Sequence, residues 1–151
     1  MRLAEALSQR KDLEARITKI KELLQNVVRI QGGDQPAENP EELLSEMDQC
    51  LERLEYLIYR INVSNMQIVA EDGKNMTLLL AERDVLAKRI AILRNTFNEA
   101  SSSGSRYRNE IRYVTTIDVK ALRQQLGQFS QEYRQLDMKI QELNFTYDLV
   151  E

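Results

Sequence analysis

From Val119 to Val150 an apolar side chain falls at every third or fourth position: Val119, Leu122, Leu126, Phe129, Tyr133, Leu136, Ile140, Leu143, Tyr147 and Val150. Such a run is one stripe on a helix, and a sustained period near 3.5 residues implies supercoiling against a partner helix. A chain holding this stripe must supply a second helix, either from elsewhere in its 151 residues or from another molecule. With 5 Gly and 2 Pro in the whole chain, turns are few and most of it is free to be helical.

Three more stripes meet that requirement. Leu3, Ala6, Leu13, Ile17, Ile20, Leu24 and Val27 form the first, interrupted by Arg10. Gly32-Gly33 suits a left-handed helix end, and Pro36 prevents resumption. Asn39 as N-cap, Pro40 at the first helical position and Glu42 three residues after the cap specify a restart. The following stripe, Leu44, Met47, Leu51, Leu54, Ile58 and Ile61, pairs with the first as an αα-hairpin. Helix three, with Thr77 as its expected cap, carries Leu79, Leu86, Ile90, Leu93 and Phe97, with Arg83 at the seam. The fold class expected is therefore mainly α: four long helices in antiparallel αα-hairpins, a coiled-coil-like bundle forming a single helical domain over 1–151. The helices are placed at about 2–31, 40–63, 77–100 and 118–149.

Between the hairpins, Asn62-Val63-Ser64-Asn65 accumulates side chains that compete for backbone hydrogen bonds, and Asp72-Gly73 is a hairpin signal. Ile111 to Ile117 is β-branched and aromatic, so a minor β-hairpin or three-stranded sheet is expected from 66–76 and 108–117. Ser101-Ser102-Ser103-Gly104-Ser105 reads as a flexible loop, and Asp118 or Thr116 caps helix four.

Helix three has more apolar surface than a two-helix seam uses, because Leu78, Ala81, Val85 and Ile92 lie on a neighbouring face. One buried seam does not offset the entropy of ordering long helices, so further apolar surface is expected to be buried between subunits. A homo-oligomer is predicted. Its packing and interface residues are Leu78, Val85, Ile92, Leu93 and Phe97 of helix three with Leu126, Phe129, Tyr133, Leu136, Ile140 and Leu143 of helix four.

The absence of histidine removes Ser-His-Asp and Cys-His catalysis and the Glu-x-x-His ligands of di-iron bundles. Carboxylate pairs such as Glu82 and Asp84 read more simply as a solvated face than as an acid–base or metal site. No glycine-rich phosphate loop occurs, and Cys50, beside Leu51, reads as a small packing group. No catalytic residue, cofactor or metal is expected, and the chain is not expected to be an enzyme. A net charge of -3 disfavours nucleic acid as a partner. Arg106, Arg108 and Arg112, interleaved with Tyr107 and Tyr113, are the one cationic and aromatic cluster that could contact anions; alternation along a two-faced strand accounts for it more simply. Arg10 and Arg83 read as register devices or ionic contacts within the fold. The charged amino terminus does not read as a secretory signal and no apolar run is long enough to span a bilayer, so a reducing cytoplasm is the expected setting for the lone cysteine. The Asn-X-Ser/Thr triplets at Asn62, Asn75 and Asn144 then carry no meaning for glycosylation.

The order of short motifs resembles the septicolysin-like family of small bacterial proteins: LAEAL at Leu3 to Leu7, GDQPAENPEELL from Gly33, RIN at Arg60 to Asn62, AERDVL from Ala81 and EIRYVTTIDV from Glu110. The resemblance spans nearly the whole chain. It implies a bacterial, helix-rich protein of largely uncharacterised function whose family name derives from an oxygen-labile haemolysin, and it supplies no catalytic residues. The residues themselves favour a self-associating helical scaffold or interaction protein. The alternatives are a membrane-active, haemolysin-like protein whose hairpins open onto lipid, and a weak nucleic-acid binder acting through 106–113.

Overall fold

The computed structural model describes residues 1–102 and 113–151. Four helices follow in order: α1 (Leu3–Val27), α2 (Pro40–Gln67), α3 (Met76–Ser101) and α4 (Val119–Thr146). The expected mainly α architecture of four long helices is what the chain adopts. It divides into two compact units, one of Met1–Val69 with Leu143–Glu151 and one of Ala70–Glu142.

In the first unit α1 and α2 form the expected hairpin. Asn39 caps α2 by accepting the Glu41 N–H at 2.9 Å, with Pro40 at the first helical position. The link between the helices turns at Gly33, whose φ of 93° is costly for any residue bearing a Cβ. Near this end Ile20, Val27 and Leu43 are buried together, with Leu23, Leu24, Met47 and Cys50 packed against them. Cys50 is thus a packing group, as its position beside the stripe suggested. At the other end Leu3, Ala6, Leu57 and Ile61 are buried. Arg16 grips Glu46 across the hairpin through two hydrogen bonds of 2.6 and 2.8 Å. Arg10 instead pairs with Glu14 on its own helix at 3.0 Å, one turn away.

The buried row of α2 is displaced from the expected one. Leu43, Leu57, Ile61 and Ser64 are buried, whereas Leu44 and Leu51 remain 45% and 42% exposed. Two apolar rows lie side by side on this helix and share Met47, Leu54 and Ile61. The row that faces α1 continues through Cys50 and Ser64, which are easily passed over in a search for large aliphatics. The structure also extends α2 beyond 63: Ser64 does not break the helix, because its hydroxyl donates to the Arg60 carbonyl at 2.8 Å while accepting the Val150 N–H at 2.9 Å. α1 is shorter than expected and ends at Val27.

The chain's two ends close this unit. Leu3 N–H donates to the Tyr147 carbonyl at 3.0 Å and Leu149 N–H to the Met1 carbonyl at 2.8 Å, making an antiparallel bridge between Arg2 and Asp148. The Arg2 guanidinium adds a 2.6 Å bond to the Thr146 carbonyl and a 3.2 Å ion pair with Asp148. Leu149 is buried behind this clasp.

The expected minor sheet does not form: the described residues contain no strand, only isolated bridges. Met66 and Gln67 belong to α2 and Met76 to α3, leaving a connection too short for paired strands. Asp72-Gly73 makes a tight turn instead, closed by Ala70 N–H to the Lys74 carbonyl (2.8 Å) and Gly73 N–H to the Ala70 carbonyl (2.9 Å), with Gly73 at φ 82°. Residues 113–117 are likewise not a strand; the rest of the expected 108–117 strand, most of the 101–105 loop, and Arg106, Arg108 and Arg112 lie outside the described residues.

This packing predicts that Leu57→Ala destabilises the protein by about 2–5 kcal/mol, as burial implies. Leu51→Ala, one row away, is expected to cost about 1 kcal/mol or less. Urea denaturation of the two variants measures both.

Candidate functional site: an apolar groove in the second unit

The second unit is a helix pair entered through the Asp72-Gly73 turn. Asn75, not the expected Thr77, caps α3, accepting the Leu78 N–H at 2.9 Å. At the far end of the pair Asp118 caps α4, accepting the Ala121 N–H at 3.1 Å. Leu79, Ile90, Leu122 and Ile140 supply the buried interior. Arg83, the polar residue at the α3 seam, reaches Asp137 at 2.9 Å, and the pair is partly buried. The ion pair fixes the register of the two helices, the structural role anticipated for Arg83.

On one side of this pair an open groove of about 700 Å³ runs between α3 and α4. Leu78, Ala81, Val85, Leu86, Phe129 and Leu136 make it apolar. Charged side chains stand around it: Asp72, Lys74, Glu82, Arg89, Glu132 and Lys139. Several are fixed in place. Lys74 Nζ lies 2.7 Å from Glu82 Oε1, Lys139 Nζ lies 2.7 Å from Asp72 Oδ2, and Asp72 Oδ1 also accepts the Lys74 N–H at 3.1 Å. Arg89 stacks over the Phe129 ring, 5.2 Å from its centre. The turn is therefore tied both to the start of α3 and to α4.

These contacts set the ionisation of the rim. The hydrogen bonds from Lys139 and from the Lys74 amide hold the Asp72 carboxyl below the usual aspartate range. Glu82 holds the Lys74 ammonium above the usual lysine range by hydrogen bonding and charge attraction. Both groups keep their charge at neutral pH.

Three exposed residues continue the apolar surface along α3: Leu78, Val85 and Ile92, exposed by 46%, 60% and 65%. Their spacing of seven places them within about 20° of one another around the helix at each step, so they form a single row. Of the other interface residues expected from the sequence, Leu93, Phe97, Leu126, Phe129, Tyr133, Leu136 and Leu143 are half-buried. Ile140 is wholly buried and belongs to the interior. Leu143 falls in the first unit rather than beside the groove. The structure thus gathers Leu78, Val85, Phe129 and Leu136 at one groove, with Ile92 farther along the same α3 row. The polar rim was not foreseen: nothing in the spacing of Asp72 and Lys139 along the chain signals their pairing. A smaller trough of about 320 Å³ lies among Ala87, Ile90, Ala91, Arg94, Ser130, Tyr133 and Arg134.

The profile of a family of unknown function, DUF6847, matches residues 10–149. The chain belongs to this family. A crystal structure from Corynebacterium diphtheriae, described as that of a functionally unknown conserved protein, is 38% identical to this DUF6847 chain. It covers 99% of both chains with a TM-score of 0.96. No curated protein matches significantly. No helix among the described residues of this DUF6847 protein is long and apolar enough to cross a membrane.

The rim predicts a pH dependence whose sign follows from the lowered Asp72 pKa. A carboxyl that ionises more readily when folded adds stability above its unfolded pKa, and that stability is lost as pH falls through the folded value. Thermal melts of the unmodified protein are expected to weaken below about pH 4 more steeply than those of Asp72→Asn. Equal slopes would show that Asp72 does not contribute.

Proposed function

We propose that this protein is a self-associating helical interaction module, acting by recognition of helix faces rather than by bond-making. The exposed row Leu78, Val85 and Ile92 supports this reading, running along α3 beside a groove that is apolar inside and charged at its rim. A helix is the partner shape that such a row fits: a helical partner presents apolar residues at the same three-four spacing, and buries both rows together. Charged side chains around an apolar centre are the usual anatomy of a protein–protein contact, where the centre supplies affinity and the rim sets orientation. The seating of Asp72, Lys74, Glu82 and Lys139 in ion pairs favours this role over acid–base chemistry, since each carboxylate already holds an ammonium group on one of its oxygens.

Lipid contact by opened hairpins would need the same apolar surface, but the rim carries acidic as well as basic side chains and offers no basic face to an anionic headgroup layer. The two readings differ in what the protein does when no lipid is present. Light scattering on the eluting peak is expected to give the unmodified protein a mass above the 17.6 kDa of one chain. The doubly substituted Val85→Glu, Ile92→Glu protein is expected to elute at 17.6 kDa with unchanged helical circular dichroism. A 17.6 kDa mass for the unmodified protein at about 100 µM, far above a micromolar dissociation constant, would overturn the reading.

A further inference from the structure

We infer that the occupant of the exposed row is a second copy of this chain, its α3 lying antiparallel to the first about a twofold axis at Val85. The inference rests on the self-association reading above and adds an orientation and a register to it. In a twofold contact, if one residue meets another across the interface, the second meets the first in return. With Val85 on the axis, Val85 meets the partner's Val85, and Leu78 meets the partner's Ile92. The three most exposed apolar positions of the row are then all covered at once.

The charges beside the row carry the argument for this register. Glu82 and Arg89 lie on its groove side, whereas Asp84 and Lys88 lie on the other side and are exposed. In an antiparallel helix pair each flank meets the same flank of the other helix. With the axis at Val85, Glu82 comes opposite the partner's Arg89, and Arg89 opposite the partner's Glu82. On the other flank Asp84 stands nearly opposite the partner's Lys88, again in both directions. The four charges of α3 that flank Val85, namely Glu82, Asp84, Lys88 and Arg89, therefore each face an opposite charge.

The competing arrangements fail on the same residues. Sliding one helix by a full heptad either way, which moves the axis by half a heptad so that Val85 meets Leu78 or Ile92 of the partner, brings Glu82 against Glu82 or Arg89 against Arg89 across the axis. A parallel pair in register brings the two different flanks together. Glu82 is then near the partner's Asp84, and Arg89 near the partner's Lys88. Like charges at close range select against each of these. Arg89 need not leave its place over Phe129 to take part, because stacking occupies the face of the guanidinium and leaves its edge donors available.

A complementation experiment reads this register directly. Glu82→Arg and Arg89→Glu are made separately and each is examined by sedimentation equilibrium alone and in an equimolar mixture. Each alone would place like charges at both groove-side positions and is expected to dissociate at least about tenfold more readily than the unmodified protein. Mixed, they place opposite charges at both positions, and the mixture is expected to return to within about threefold of the unmodified dissociation constant. Val85→Cys in a Cys50→Ser background gives a second readout that does not disturb the charges. A short thiol cross-linker is expected to join two chains through position 85. If the unmodified protein self-associates and Val85→Glu, Ile92→Glu abolishes it, yet the mixture is not rescued and position 85 does not cross-link, this register is overturned while self-association through the row stands. If the unmodified protein is a single chain at all concentrations, both fall together.

Discussion

α3 carries two adjacent apolar rows, and a single partner helix can bury only one of them. Leu79 and Ile90 are taken up inside the second unit, whereas Leu78, Val85 and Ile92 stay in contact with water. The cost of leaving a contiguous apolar row in solvent grows with its area and is removed by any helix that covers it. The proposed interaction role rests on that residual surface. The ion pairs at the turn and the rim fix where the surface ends and which charges border it.

The two units use the same materials differently. In the first, the hairpin of α1 and α2 is finished by the chain's own ends: Leu149 fills in behind the Arg2–Asp148 bridge, and Ser64 ties α2 to Val150. A third segment thereby closes what a helix pair leaves open. Among the described residues of the second unit no such segment lies over the groove, where Leu78 and Val85 remain exposed. The Arg83–Asp137 pair ties α3 to α4 beside the groove.

Helix number and type were legible from periodicity alone, since Val119 to Val150 admits no other interpretation and the Asn39-Pro40 start is chemically explicit. On α3 the periodicity also named the inward row, since Leu79 and Ile90 are buried while Leu78, Val85 and Ile92 of the neighbouring row stay exposed. On α2 it did not, because the buried row runs through Cys50 and Ser64. The minor sheet was misread because Asp-Gly signals a reversal without saying how much chain flanks it, and Gln67 and Met76 already belong to helices. Asn75 rather than Thr77 is the cap because α3 already begins at Met76, which places the Asn75 side chain to accept the Leu78 N–H. At the groove, the apolar residues of α3 could be named in advance, but the Lys139–Asp72 pair joins residues from distant parts of the chain, and no local pattern encodes it.

Hydroxyl-radical footprinting across a concentration series addresses the α3 row residue by residue. If another helix covers it, oxidation of Leu78, Val85 and Ile92 falls as protein concentration rises, while the exposed Tyr59 and Met66 of α2 stay equally reactive. Oxidation of the three α3 residues that is undiminished at every concentration would contradict the account.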